Sequence, residues 1–378
     1  YDPDYEPPER PGKDKVHISR PNFVALCERL TATDEEAFKA LWRRLGLSVD
    51  WSLEYATVGV RARRQSQRAF LRMMARGEAY LQEAPTLWDV DFKTAVSQAE
   101  LEDRDHPGAS HRLAFALSDG DGAVEIETTR PELLPSCVAL VCHPGDARYA
   151  PLLGREVVTP LFGVRVPVLA HELADPEKGT GIAMVCTFGD TTDVVWWREL
   201  DLPVRAVVGR DGRLGPATFG EDGVPSVDPD AATAAYGELV GRTVKQAQAR
   251  IVELLRASGA LLADPRPLTH PVKFYEKGER PLEIVTSRQW FVPTLGMRDR
   301  LLELGAKLDW HPGFMAHRYT AWVEGLNTDW SISRQRFFGV PFPVWYRIGD
   351  DGVVDFAHPL VPDEARLPVD PSSDVPDG

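Results

Sequence analysis

Gly179-Thr180-Gly181 leads into Ile182-Ala183-Met184-Val185-Cys186 and then Thr187-Phe188-Gly189-Asp190-Thr191-Thr192-Asp193, which joins a tight glycine turn, a strand and two carboxylates on a loop that opens a helix. Carboxylates so placed can hold a cation or an amine. Roughly fifty residues earlier, Glu127-Thr128-Thr129-Arg130-Pro131-Glu132 ends another strand with hydroxyls and a guanidinium, a candidate second wall of the same pocket. Arg130 stands directly before a proline and is therefore held extended, which predicts an outward-pointing guanidinium; a structural salt bridge is the alternative. β-branched threonines are common strand formers, so Thr128 and Thr129 carry a plain structural reading beside the chemical one. The nine histidines are scattered and no serine sits in a Gly-x-Ser-x-Gly elbow, so Ser/His/Asp catalysis fits poorly.

The elements that must position these groups follow from periodicity. Residues 16–103 read mainly as helix: Thr33-Asp34-Glu35-Glu36 has the form of a capping box, Phe38, Leu41, Trp42 and Leu45 recur at helical spacing, and Gly46 supplies a stop. A second helix is expected over Thr57 to Arg76, ending at Gly77. From Arg112 the period becomes two, with strands expected at Arg112 to Leu117 and Ala123 to Thr128 around a Ser118–Gly122 hairpin loop. Further strands are expected at Val138 to Cys142, Glu156 to Thr159, Val164 to Leu169, Ile182 to Cys186 and Val204 to Val208. Helices are expected at Asp193 to Leu200 and at Thr243 to Ser258, the latter with a Thr243/Gln246 capping box and a Gly259 stop. Gly220 to Asp230 reads as an acidic surface loop. So many short strands predict a small closed or strongly curved sheet in a mixed α+β chain.

At 378 residues the chain is too long for one ordinary domain. It has no run of about 18 apolar residues and no signal-peptide pattern at its start, and its tail, LPVDPSSDVPDG, with the missing initiator Met, reads as a piece of something larger. Cys27, Cys137, Cys142 and Cys186 lack Cys-x-x-Cys spacing, so they are expected to be buried thiols rather than a zinc site. A formal net charge of −14 argues against non-specific binding of polyanions, so any RNA contact must be local. Arg61, Arg64, Arg68 and Arg72 recur at helical spacing and read either as a phosphate-binding stripe or as a solvated helix face.

Family text is present along nearly the whole chain. NFVALCERLTATDEEAFKALWRRLGLSVDWS, TSRQWFVPTLGMRDRL and NTDWSISRQRFFGVPFPVWY resemble the large class I synthetases that charge valine, isoleucine and leucine. The combination GLSVDWS, TTRPELLP and CTFGDTTDVVWWREL is most similar to valyl-tRNA synthetases, particularly an archaeal-like branch. The resemblance implies three parts: a helical connective segment over 1–103, a β-barrel-like editing domain with helices over 104–262, and a return segment over 263–378 that starts the second Rossmann half. Neither a His-Ile-Gly-His-type nor a Lys-Met-Ser-Lys-Ser-type signature is present, so the chemistry expected of this chain is hydrolysis, with no cofactor of its own. ATP and magnesium would serve the full-length enzyme.

A valine pocket rejects nearly isosteric threonine poorly; valyl-tRNA synthetases are themselves the standing example, at about 100-fold, and a second, hydrolytic site is the remedy. The resemblance implies that Asp193 clamps the substrate ammonium with Asp190 as a second pocket carboxylate, and that Thr128 and Thr129 orient water or substrate. It further implies substrate binding by Arg130, Lys178, Gly179, Thr180, Gly181, Met184 and Cys186. Read alone, Asp193 is a helix-start carboxylate and Asp190 an N-cap. Many bacterial members have Lys-x-Thr-Pro-Ala-His where this chain has Met184 to Gly189, which leaves recognition of the threonine hydroxyl open. The implied partners are the acceptor end of tRNA(Val) and the rest of the synthetase, with no membrane, in a cytoplasmic monomer. An isoleucyl- or leucyl-tRNA synthetase editing fragment and a non-editing tRNA-binding insertion are the alternatives.

Overall fold

A computed structural model describes residues 6, 17–220 and 223–376, divided into two compact units. Of the described residues, one unit holds those up to Leu81, Trp290–Asp329 and those from Gln335 onward; the other holds Gln82–Gln289 and Trp330–Arg334.

The first unit begins with α1 (Arg20–Arg44), whose N-cap Ser19 accepts from Asn22 N and which has proline in its first turn. The Thr33–Glu36 box therefore lies inside the helix instead of starting it, and Thr33 Oγ1 donates to Arg29 O at 3.1 Å. Its residue types fit a cap, but a capping box acts only where the chain enters a helix, and Ser19-Arg20-Pro21 provides that entry earlier. Phe38, Leu41, Trp42 and Leu45 do share a helical stripe, yet all four are exposed. Next comes α2 (Val60–Ala75), which ends before Gly77 and buries Gln67, Phe70 and Leu71. The buried Gln67 amide holds the far end of the chain, donating to Pro341 O at 2.8 Å and Val369 O at 2.6 Å while accepting from Val369 N at 2.9 Å. Phe70 packs edge-on against Trp290 and Phe342 at 4.9 and 4.8 Å between centroids.

After α2 the expected helix gives way to strand: β1 (Tyr80–Asp89) turns through an Asp89 carboxylate that accepts from Asp91 N and Phe92 N, and pairs with β2 (Thr94–Ala95). The 17-residue β3 (Leu101–Leu117) serves several partners. Its end pairs with β4 (Ala123–Thr128) through the expected hairpin and with β6 (Glu156–Val158), and its start pairs with β9 (Arg266–Tyr275). With β5 (Cys137–Cys142), β7 (Arg165–Ala170) and β8 (Ile182–Cys186), the sheet runs β4-β3-β6-β7-β5-β8 with β9 beside β3. The path's end strands β4 and β8 lie against each other, so the sheet is nearly closed, as expected from so many short strands. A second sheet has the order β11-β10-β1-β2, where β10 is Glu283–Val292 and β11 is Trp330–Ser331. The chain is thus mixed α+β with a barrel-like sheet.

Helices α3 (Thr191–Glu199), α4 (Pro229–Gly237) and α5 (Val244–Ala257) belong to the second unit, α6 (Arg298–Gly305) and α7 (Met315–Glu324) to the first. The Thr243/Gln246 capping box starts α5. Val204–Val208 forms no strand beyond a bridge from Val208 to Leu214: Pro203 has no N–H to give a ladder, and Val207 O instead accepts from Gly215 N in a local loop. In the acidic Gly220–Asp230 segment, residues 221–222 lie outside the described residues, and Pro229 and Asp230 already belong to α4.

Candidate functional site

Strand alternation decides which way β8 presents its side chains. Ile182, Met184 and Cys186 face the barrel core with Leu113, Phe115, Ile126 and Leu140, whereas Ala183 and Val185 face a second cluster with Trp196 and Leu202. Antiparallel β5 shifts register between Cys137 and Ala139, and this bulge turns both Val138 and Ala139 to the outer cluster before Leu140 and Cys142 return to the core. Cys186 is 1% exposed and stands opposite Cys137; burial pushes its thiol well above the usual range. Cys186 thus lies in the core and the half-buried Met184 packs against it, a placement the motif alone does not reveal.

The loop after β8 is built around a glycine. A Cβ on Gly189 would lie 2.6 Å from Asp193 Oδ2 and 3.5 Å from Leu133 Cδ1, so only glycine permits this approach. Gly189 N donates to Asp193 Oδ2 at 2.8 Å. Asp190 is exposed and caps α3, its Oδ1 accepting from Thr192 N at 2.7 Å and Asp193 N at 3.0 Å. Asp193 lies in the first turn and is 6% exposed. Burial, and after it the charge of Asp190, push the Asp193 carboxyl well above the usual carboxylate range, against backbone hydrogen bonding at Gly189, Cys186 and Asp190. An incoming cation would favour the charged form of such a buried carboxylate.

The Gly179–Gly181 turn meets the other motif. Gly179 has φ +60°, and a Cβ there would sit 3.3 Å from Glu127 Cβ at the end of β4. Gly181 N donates to Lys178 O at 2.9 Å, and Thr180 O accepts from Tyr149 OH at 2.6 Å; the Lys178 side chain is exposed. Beyond β4, Thr128 Oγ1 accepts from Arg130 N at 3.0 Å and Thr129 O accepts from Gln248 Nε2 on α5 at 3.0 Å. The segment 131–136 then crosses to β5, bringing Leu133 against Gly189 and Ser136 O within 3.3 Å of Thr187 N. The two motifs thus adjoin at Glu127 with Gly179 and at Leu133 with Gly189. Among the described residues no hydrogen bond joins the threonine hydroxyls to Asp190 or Asp193.

Arg130 does not point outward. Its Nε donates to Glu132 Oε1 and its Nη2 donates to Glu283 Oε2 at 2.8 Å. Glu132 is 0% exposed and its Oε2 has no hydrogen-bond partner among the described residues. Burial disfavours the Arg130 cation, but the charges of Glu283 and Glu132 outweigh it and raise its pKa; burial likewise raises the Glu132 carboxyl. Two carboxylates in a desolvated wall need a counter-charge, and this need overrides the extended bias set by Pro131. Sequence reasoning misses Glu132 and Glu283. A lone charge inside the apolar run Leu282-Glu283-Ile284-Val285 is the signal that points to a buried pair.

The chain belongs to the class I tRNA synthetases (I, L, M and V), whose family model matches residues 8–361. It is 60% identical to the valine–tRNA ligase of Thermobifida fusca over 383 residues, covering all of this chain and 43% of that protein. It is 61% identical to the valine–tRNA ligase of Salinispora tropica over 382 residues, covering all of this chain and 44% of that protein. The chain thus spans less than half the length of the curated relatives it matches. These relatives lend no support to an archaeal-like affinity. The crystal structure of the ternary complex of Agrobacterium radiobacter K84 agnB2 LeuRS-tRNA-LeuAMS covers 90% of this chain and 41% of its own at 16% identity; with a TM-score of 0.30 the superposition is too loose to argue from.

Proposed function

We propose that this chain is the editing part of a valine–tRNA ligase and hydrolyses threonyl-tRNA(Val), with threonyl-adenylate as a second candidate substrate. The observation that carries this reading is Asp193: a carboxylate 6% exposed, raised by burial and met by the Gly189 amide, is suited to an ammonium ion that restores its charge. In this reading an editing domain over 104–262 stands between a connective segment over 1–103, whose described part is helical through α2 and strand from Tyr80, and a return segment over 263–378. In this reading the Thr128 and Thr129 hydroxyls orient a water, and no side chain is needed as general base if that water is positioned against the ester. Arg130 acts through its hold on Glu132 and Glu283, which fixes the wall that carries the threonines.

The rest of the synthetase is the partner that would cover the exposed stripe Phe38, Leu41, Trp42 and Leu45 on α1. The acceptor end of tRNA(Val) is the substrate's carrier, the chain acts as a cytoplasmic monomer, and ATP with magnesium belongs to the full-length enzyme. A second reading, a tRNA-binding insertion without hydrolysis, is favoured by one observation, the turn of Met184 and Cys186 into the core. Deacylation of threonyl-, valyl- and isoleucyl-tRNA by the purified chain separates the readings. Preferential loss of threonine is expected; equal stability of all three esters would leave only the insertion, and preferential loss of valine would assign the site to an isoleucine enzyme.

A further inference from the structure

Arg61, Arg68, Arg72 and Arg76 lie at i, i+7, i+11 and i+15 along α2 and its C-cap, so they form one line in which each four-residue step advances about 6 Å. Arg64 leaves that line: its Nε donates to Leu367 O at 2.7 Å. A surface cavity of about 350 Å³ is lined by Gln65, Arg68, Ala69, Arg72, Met73 and Arg76. Two of its arginines already grip an oxyanion of the chain's own, the carboxylate of Glu364. Arg72 donates to both carboxylate oxygens of Glu364, from Nε at 2.9 Å and from Nη2 at 3.0 Å, and Arg68 Nε lies 3.0 Å from Oε2. A guanidinium fork that grips both oxygens of a carboxylate fits a phosphate equally well. Arg76 pairs with Glu78 and Arg61 is exposed, so four guanidiniums face two carboxylates. This excess of positive charge sits on a chain whose formal net charge is −14.

We propose that this face of α2 docks the phosphodiester backbone of RNA, with Glu364 as a displaceable intramolecular stand-in. Glu364 belongs to a three-residue turn and its ion pairs lie at the surface, so a phosphate competes for the same donors on favourable terms. The preference for RNA over another polyanion rests on the editing reading; the oxyanion chemistry of the cavity does not.

The test is fluorescence anisotropy of an unacylated, labelled tRNA(Val) transcript over a salt series. The Arg68→Gln/Arg72→Gln/Arg76→Gln variant is expected to bind at least tenfold more weakly and to flatten the salt slope by roughly 2, at about 0.7–0.9 per phosphate contact. Glu364→Gln is expected to bind more tightly than the parent chain. Unchanged affinity or slope in the triple variant, or weaker binding by Glu364→Gln, would overturn the proposal, as would stronger attachment to phosphatidylserine vesicles than to RNA. Should the triple variant fold poorly, the gain expected of Glu364→Gln still decides. Binding of unacylated RNA requires no hydrolysis, so a chain that fails to deacylate leaves this test standing, and active deacylation with an unaltered triple variant would remove the docking face alone.

Discussion

Replacing Asp193 by Asn removes a charge while keeping shape and an acceptor for Gly189 N. The Asp193 carboxyl is raised in the folded chain above its unfolded value of about 3.9, because burial and then Asp190 disfavour the anion. A raised carboxyl contributes stability that is fully present below the unfolded pKa and is lost as pH rises through the folded one, about 1.4 kcal/mol for each pH unit that separates the two. The neutral amide of the Asp193→Asn variant escapes that loss. The variant is therefore expected to melt above the parent chain at about pH 8, with the gap closing in acid. Hydrolysis should move the other way. An ammonium held by a buried carboxylate makes a charge-assisted contact worth about 1.5–3 kcal/mol, so its loss slows threonyl-tRNA deacylation about 10- to 150-fold. In the parent chain, deacylation should fall as pH drops through the raised Asp193 value, since the neutral acid cannot pair with the ammonium. Single-turnover deacylation and thermal melts across pH are the assays. Parent-like hydrolysis combined with a lower melting temperature near neutral pH would refute the reasoning and leave Asp193 as a dipole-stabilising residue of α3.

Arg130→Ala leaves Glu132 and Glu283 facing each other without their counter-charge, one of them fully buried, and is expected to cost about 3–5 kcal/mol, or roughly 10 °C in melting temperature. The double change Arg130→Met/Glu132→Gln should recover much of it, and chemical denaturation of both variants is the check. Gly179→Val is expected to destabilise by about 1–2 kcal/mol or more, because φ is +60° and the new Cβ would press on Glu127 at 3.3 Å. Since that turn meets β4 at Glu127, hydrolysis by this variant should fall more than its stability loss explains, read as kcat on protein still folded at the assay temperature.

Much of the barrel was legible in the chain because its signals are local. The hairpin between β3 and β4, the β8 strand and the Thr243/Gln246 cap with its Gly259 stop each depend on residues within a few positions of one another. The Thr33 box shows the limit of such signals: the same four residue types cap a helix only if the chain enters there, and Ser19 had already opened it. Likewise the helical pattern expected up to residue 103 yields to β1, whose place depends on a sheet that also contains β10, far along the chain.

Residue types and their spacing are enough to place two carboxylates on a loop between a strand and a helix, to end another strand in a threonine-arginine motif, and to mark both as class I synthetase text. Caps, turns and strand alternation act over one or two turns of chain. Which of those groups are buried, and what each is paired with, emerges from long-range packing alone. Asp193 is buried and Asp190 exposed though they lie three residues apart: the Asp193 carboxylate turns back onto the Gly189 amide, while Asp190 caps α3 at the surface. Arg130 turns inward to a partner 153 residues away, and a bulge in β5 sets which faces of the strand meet the core that Met184 and Cys186 enter. Burial and ion pairing are properties of surfaces brought together by folding, and no local pattern encodes which distant surface will arrive.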